Sequence, residues 1–216
     1  DLFDTLLVSD PTVDLLKMSA RVFSRLLRRD VAELNEEAVA KMFTFPFDRS
    51  HPHEFTFFEQ RITQFLVSSR IQVHKNSIRQ YASDILHSWG SRWNLADDAI
   101  HVISDLSKSG VSVGLVTNFD HYPHVQELVA GSELGALFDA IVISSEVGFD
   151  KPDARIFASA RSLLNVDSKN AVHVGDDIVD VEGALGAGMQ AVQIDRHSSS
   201  DSKGLDQGPT CDRYVV

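Results

Sequence analysis

The sequence has little cysteine, no long apolar run and no excess of basic residues, and each absence excludes a class of protein. The one cysteine, Cys211, cannot form a disulfide within the chain, so we expect a reducing compartment and a cytoplasmic protein. No apolar run reaches the roughly 18 residues needed to cross a bilayer, so no membrane partner is expected. Lys and Arg number 20 against 31 Asp and Glu, and the net charge of −11 disfavours nucleic acids and anionic lipids as partners.

The length and the composition indicate a folded globular chain. Hydrophobic residues make up 43% of the 216 residues and charged residues 24%, which is typical of one domain, or of a core with a smaller inserted unit. The sequence begins with Asp and contains no signal-peptide pattern, so we expect a longer natural chain with an apolar strand before Asp1. No pattern fixes an oligomeric state.

Residues from about 11 to 93 are predicted to be helical. Apolar residues recur there at intervals of three and four, as in Phe58, Ile62 and Phe65, and no alternating β-branched run interrupts them. The second half instead alternates short apolar runs with amphipathic segments near 97–109, 123–131, 153–164 and 180–187. The runs predicted to be strands are Val111–Thr117, Ala140–Ser144, Ala171–Val174 and Ala191–Ile194, with a last edge strand beginning within Asp212–Val216.

Strands that alternate with helices predict βαβ units and a parallel sheet buried on both faces. We therefore predict an α/β fold, a Rossmannoid three-layer sandwich with a parallel sheet and an inserted helical cap. The core is expected to comprise residues 1–9 and 96–216, and the cap residues 10–95. The boundaries follow from the change from helical to alternating patterns.

Polar side chains follow the predicted strands, and the carboxyl ends of parallel strands are where such sheets carry their functional groups. Carboxylates crowded together raise each other's pKa or bind a cation, and a histidine-free oxygen cluster suits Mg²⁺. The residues at these positions are Asp1, Phe3, Asp4, Thr5, Thr117, Asn118, Lys151, Asp176, Asp177 and Asp180.

Four motifs, DLFDTL, VTN, DKP and GDDIVD, resemble the haloacid dehalogenase (HAD) superfamily in their order and spacing. Each motif alone is common, but four in this order at strand ends are specific. The helical insertion after the first motif resembles the type 1 cap of subfamily I. The resemblance implies a Mg²⁺-dependent phosphatase that acts on a small phosphorylated metabolite through an aspartyl-phosphate.

The resemblance also implies the role of each residue. Asp1 corresponds to the nucleophile, and Thr5 and Thr117 to the residues that hydrogen-bond the nucleophile and the phosphoryl oxygens. Asn118 corresponds to a substrate-binding position, and Lys151 to the lysine that neutralises the nucleophile and the phosphoryl group. Asp176 corresponds to the direct Mg²⁺ ligand, together with Asp1 and the backbone carbonyl of Phe3. Asp177 or Asp180 corresponds to a residue that supports the waters of the metal or orients Lys151.

Phe3 is the departure from this pattern. Phosphatases of the family carry a second Asp two residues after the nucleophile as general acid, and a phenyl ring transfers no proton. Asp4 is not expected to replace it, because successive strand residues point to opposite faces. Two alternatives therefore stay open beside the phosphatase: a dehalogenase-like hydrolase, whose family members have an aromatic residue at this position but lack the acidic fourth motif, and a catalytically weakened HAD domain.

Overall fold

The computed structural model describes residues 1–27, 35–49, 54–196 and 213–215. Cys211 lies outside the described residues, and so do Asp212 and Val216 at the two ends of the predicted edge strand. The described residues belong to two compact units. One comprises Asp1–Ser9, Asn94–Phe119 and Leu128–Val216, and the other Asp10–Trp93 and Asp120–Glu127. Within the described ranges, no helix combines the length and the apolar character that crossing a bilayer requires.

The first unit is built from short strands that alternate with helices. Its strands are β1 (Leu7–Ser9), β2 (Trp93–Leu95, from its second residue onward), β3 (Gly114–Thr117), β4 (Ala140–Ile143), β5 (Val172–Gly175), β6 (Gln190–Gln193) and β7 (Arg213–Val215). Its helices are α5 (Ala99–Lys108), α7 (Ser144–Val147), α8 (Ala154–Leu164) and α9 (Ile178–Gly186), and α6 (Tyr122–Ala130) ends in it. The predicted α/β alternation is confirmed.

The strands pair in parallel where helices connect them. In the described residues β3 pairs with β4 and β5 with β6, both in parallel, and β7 adds to β6 in antiparallel orientation. β3 begins three residues later than predicted. The backbone N–H of Val113 donates to the side chain of Asp139 at 2.8 Å, and the strand pairing with β4 starts at Gly114.

A buried apolar layer lies between strands of the two parallel pairs and the helices α8 and α9. Gly183 of α9 allows the close packing, because a Cβ there would lie 2.5 Å from Cε2 of Phe157 and 2.9 Å from Cα of Pro152. α8 and α9 each begin at an aspartate, Asp153 and Asp177, whose side chain accepts a backbone hydrogen bond. The layer contains Val116, Val142, Ile156, Phe157, Ala160, Val181, Ala184 and Ala191.

The second unit is helical, as the apolar periodicity predicts. Its helices are α1 (Leu15–Leu27), α2 (Glu36–Met42), α3 (Phe57–Ser68) and α4 (Lys75–Trp89). Thr56 and Glu59 form a capping box that fixes the start of α3. Trp89 of α4 donates its indole N–H to the hydroxyl of Ser19 on α1 at 2.9 Å, which joins these two helices of the unit.

Candidate active site

Four segments of the first unit bring the predicted site residues together. The backbone nitrogen of Asp1 donates to the carbonyl oxygen of Val174 at 2.7 Å, which places Asp1 beside the carboxyl end of β5. Thr117 ends β3, and Lys151 lies in the loop before α8. Asp176 follows β5 directly, in the turn before α9. The site therefore lies at strand ends, where an α/β sheet carries its functional groups.

Lys151 is the centre of the site. Its side chain is only 2% exposed, and Nζ lies 2.8 Å from Oδ1 of Asp1 and 2.5 Å from Oδ1 of Asp180. Burial lowers the pKa of Lys151, and the nearby carboxylates oppose that shift. A buried ammonium is tolerated only when anions compensate for its lost hydration, and the two carboxylates do so here.

Asn118 fixes the backbone of Lys151. The Asn118 side chain accepts from the backbone N–H of Lys151 at 2.8 Å and donates to its carbonyl oxygen at 3.1 Å. This pair of hydrogen bonds ties the lysine loop to the end of β3. The described hydrogen bonds of Asn118 thus serve to place Lys151, a contribution that the sequence resemblance did not imply.

Asp180 receives hydrogen bonds on both carboxylate oxygens. Oδ1 accepts from Lys151 and lies 2.8 Å from Nε2 of His173, while Oδ2 accepts from the backbone N–H of Asp177 at 3.2 Å. Burial raises the pKa of Asp180, but the hydrogen bond from His173 and the charge of Lys151 outweigh it and hold the pKa well below its usual range. The ion pair with Lys151 and the backbone N–H donated to Oδ2 are contacts that an ionised carboxylate makes.

Gly175 makes room for this carboxylate. A Cβ at Gly175 would lie 2.3 Å from Cγ of Asp180 and 2.5 Å from its Oδ2, closer than any real contact. The glycine of the GDD motif is therefore required by the packing of Asp180 against the β5 backbone.

Three carboxylates form a group that can hold a cation. Oxygen atoms of Asp1, Asp176 and Asp180 all lie within 4.8 Å of one another. Burial raises the pKa of Asp176. The hydroxyl of Thr5 donates to Oδ1 of Asp176 at 3.1 Å, and the side chain of Gln193 donates to the backbone oxygen of Asp176 at 3.0 Å. An all-oxygen donor set of this kind fits Mg²⁺.

Asp177 lies differently from the other predicted metal residues. Its side chain is exposed and accepts the backbone N–H of Val179 at 3.3 Å, capping α9. The carboxylate group found among the described residues does not include it. The GDD motif thus divides its two aspartates, with Asp176 directed to the carboxylate group and Asp177 to the helix terminus.

Thr117 carries a buried hydroxyl at the end of β3. The residue has no exposed surface, and Oγ1 has no hydrogen-bond partner among the described residues. A buried polar atom without a partner costs free energy unless a ligand or water satisfies it. The hydroxyl is therefore available to an oxygen atom of a bound substrate.

Phe3 and Asp4 lie where Asp1 leads into β1. The ring of Phe3 stacks on that of Phe119, with centroids 5.0 Å apart and an interplanar angle of 23°. Residues 4–6 form a turn, and Asp4 has a φ of +50°. The expectation that strand alternation turns Asp4 away is wrong, because Asp4 is not in a strand. Its charge adds to the effects, burial first, that raise the pKa of Asp176.

Two residues near the site were missed in the sequence. His173 is buried within β5 and bonds Asp180, and Arg196 donates from Nε to the backbone oxygen of Thr5 at 3.0 Å. A polar residue in the otherwise apolar run AVHV was the signal for His173. Arg196 follows the predicted strand Ala191–Ile194 and belongs to none of the four motifs, so no pattern in the sequence pointed to it.

The fold and this cluster define a class of α/β protein that carries a carboxylate–lysine site at its strand ends. The chain belongs to the haloacid dehalogenase-like hydrolases, because a model of that family matches residues 1–188. The resemblance seen in the four motifs is confirmed at the level of the family and of the hydrolase class. Subfamily I and the type 1 cap stay predictions.

Individual relatives agree with this assignment. Phosphoserine phosphatase from Thermus thermophilus is 36% identical over 107 residues, covering 49% of this chain and 42% of the relative. Haloacid dehalogenase-like hydrolase domain-containing protein 3 from Mus musculus is 30% identical over 118 residues, covering 54% and 46%. The matches thus span less than half the length of these two curated relatives. Further relatives include two more phosphatases and also a 2-haloacid dehalogenase.

The solved structures confirm the fold. The crystal structure of a HAD phosphatase from Thermococcus onnurineus superposes with a TM-score of 0.62 at 23% sequence identity. The match covers 94% of this chain and 88% of that one. The predicted Rossmannoid α/β fold is therefore confirmed.

Proposed function

We propose that this chain hydrolyses a small phosphorylated metabolite in a Mg²⁺-dependent reaction, through an aspartyl-phosphate on Asp1. One observation carries the proposal: the carboxylate of Asp1 lies 2.8 Å from the buried ammonium of Lys151 and within 4.8 Å of the Asp176 carboxylate oxygen. A carboxylate and a phosphate ester repel each other, and cations at the meeting point offset this repulsion. The phosphatases among the relatives support the same reaction class.

In the first step an oxygen of Asp1 attacks phosphorus, the phosphorus–oxygen bond to the leaving group breaks, and the leaving oxygen takes a proton from solvent. In the second step water attacks phosphorus, the bond to Asp1 breaks, and inorganic phosphate leaves. Lys151 pairs with Asp1 before attack and with the phosphoryl oxygens during transfer. The Thr117 hydroxyl donates to one of those oxygens, and Thr5 holds Asp176 in place.

The residues that would hold Mg²⁺ are Asp1, Asp176 and the backbone carbonyl of Phe3. Asp180 supports the site by holding Lys151, and its Oδ1 accepts hydrogen bonds from Lys151 and His173. Asp177 supports the site by capping α9, the helix that carries Asp180. When bound, the ion supplies positive charge to the phosphoryl oxygens. Asn118 contributes to substrate binding through its hold on the Lys151 backbone.

Removal of divalent cations is the test of this proposal. With p-nitrophenyl phosphate as substrate, we expect EDTA to abolish turnover and excess Mg²⁺ to restore it, because Asp1 and Asp176 repel a phosphate ester without the ion. The assay measures the release of phosphate from p-nitrophenyl phosphate. A parallel assay measures the release of halide from a 2-haloacid. Ca²⁺ at the same ionic strength is the control for a nonspecific salt effect.

Two outcomes would contradict the phosphatase. Halide release that is insensitive to EDTA would identify the dehalogenase-like hydrolase, the alternative that the aromatic residue at position 3 favours. Absence of turnover with both substrates, in a folded protein, would identify the catalytically weakened domain.

A further inference from the structure

His173 occupies an unusual place for a histidine. It lies inside β5, with only 6% of its surface exposed, and its register partner on β6 is Ala191. Along β5, His173 and Gly175 are two residues apart and therefore face the same side of the strand. Both meet Asp180: Gly175 leaves space for the carboxylate, and His173 lies within hydrogen-bond distance of it.

The hydrogen bond has a defined direction. An ionised carboxylate only accepts hydrogen bonds, so Nε2 of His173 is the donor to Oδ1 of Asp180 at 2.8 Å. The same oxygen accepts from Nζ of Lys151 at 2.5 Å, and Lys151 in turn contacts Asp1 at 2.8 Å. His173, Asp180, Lys151 and Asp1 thus form one continuous chain of polar contacts, with the histidine at its buried end.

The surroundings of His173 restrict its ring. Phe157 packs edge-to-face against it, with ring centroids 5.0 Å apart and an interplanar angle of 84°. Phe157 is itself fully buried, and it can pack closely against α9 because Gly183 has no side chain there. The hydrogen bond from the backbone N–H of Asp177 to Oδ2 of Asp180 is longer, at 3.2 Å, than the His173 contact, and it involves the other carboxylate oxygen.

We infer that His173 is a positioning residue for the reaction: its Nε2–H fixes the Asp180 carboxylate, which fixes Lys151 against Asp1. Without this donor, Oδ1 of Asp180 keeps only the lysine as a partner, and the carboxylate can turn about its Cβ–Cγ bond. Lys151 then samples positions away from Asp1. Removal of the hydrogen-bond partners that orient metal-site ligands typically lowers activity by about 10–100-fold, and we expect an effect of this size here. The inference rests on the proposed phosphatase function.

Variants at His173 separate positioning from packing. We expect His173→Leu to lower kcat with p-nitrophenyl phosphate by roughly 10–100-fold while KM changes little. His173→Gln, whose amide can donate to Asp180, should recover most of that loss. Ile156→Val is the packing control, because it removes a methyl group from the buried layer that contains Phe157 and leaves the four polar side chains unchanged. Equal losses in His173→Gln and His173→Leu, or a similar loss in Ile156→Val, would overturn the inference.

A second measurement uses the unaltered protein and does not depend on turnover. Nitrogen-15 NMR of the assigned His173 ring should show a proton on Nε2 that exchanges slowly with solvent. A proton on Nδ1 alone would overturn the inference, even if the variants fail to fold. If the unaltered protein is inactive, the proposed function fails, whereas the NMR result still decides whether His173 holds Asp180.

Discussion

Asp1→Asn is expected to lower kcat for p-nitrophenyl phosphate by about 10³-fold or more, because the amide cannot act as the nucleophile. The substitution also removes one of the two carboxylates that compensate the buried Lys151 ammonium, at 2.8 Å. Binding of inorganic phosphate should persist, because Lys151 and Thr117 are retained. Steady-state kinetics and phosphate binding measured on the same preparation check both expectations.

The matched control for this change is Asp105→Asn. Asp105 is an exposed aspartate of α5 that pairs with Lys108 at 3.5 Å on the surface. The control makes the same chemical change without touching the site and should leave kcat within about twofold, as is typical of surface substitutions. Circular dichroism confirms that both variants are folded. Retention of a tenth or more of the activity by a folded Asp1→Asn variant would contradict a role for Asp1 as nucleophile.

Aryl phosphates are expected to be hydrolysed faster than alkyl phosphates by a factor of about 10²–10⁴, the usual contribution of a general acid. The residue two positions after Asp1 is Phe3, and its ring stacks on Phe119 instead of offering a proton. A phenolate leaves without protonation far more readily than an alkoxide. The measurement compares kcat/KM for p-nitrophenyl phosphate and a simple alkyl phosphate at one pH and Mg²⁺ concentration.

A pair of variants assigns this preference to position 3. Phe3→Asp should raise alkyl phosphate hydrolysis selectively, because it supplies an acid. Phe3→Asn introduces a side chain of the same size as Asp but without an acid, so it should not raise alkyl phosphate hydrolysis. Both lose the stacking on Phe119, worth about 0.5–1.5 kcal/mol, so stability is matched between them.

Equal rates for aryl and alkyl esters in the unaltered protein would contradict this expectation and indicate another proton donor. Asp4 is the first residue to examine, because its turn conformation places its charge where it affects Asp176. An Asp4→Asn variant that restores the aryl preference would identify it as that donor.

Much of the fold was predictable because it is locally encoded. Buried parallel strands are short apolar runs, and each was found within three residues of its observed start. The strand ends then predicted which polar residues converge, and the structure brings Asp1, Lys151, Asp176 and Asp180 together. Lys151 could be predicted from its motif although a loop carries it.

The features that the sequence did not reveal depend on contacts between distant segments or on local backbone geometry. The resemblance separated Asp176 from Asp177, but it left two roles open for Asp177, and only the folded turn shows that its side chain caps α9. The turn at Asp4 has a left-handed backbone that strand alternation does not foresee. Residues 120–127 follow β3 in the sequence but pack with the helical unit. This packing depends on tertiary contacts, such as the hydrogen bond between His121 and Thr56 at 2.7 Å.

Trapping the covalent intermediate shows directly which residue attacks the phosphate ester. Protein mixed with p-nitrophenyl phosphate and Mg²⁺ is quenched in acid within the first turnover, reduced with borohydride to mark an acyl phosphate, and mapped by mass spectrometry. The modified residue is expected to be Asp1, and the Asp1→Asn variant should show no modification. A phosphoryl group on another residue, or release of phosphate in single-turnover conditions with no modified aspartate, would contradict it.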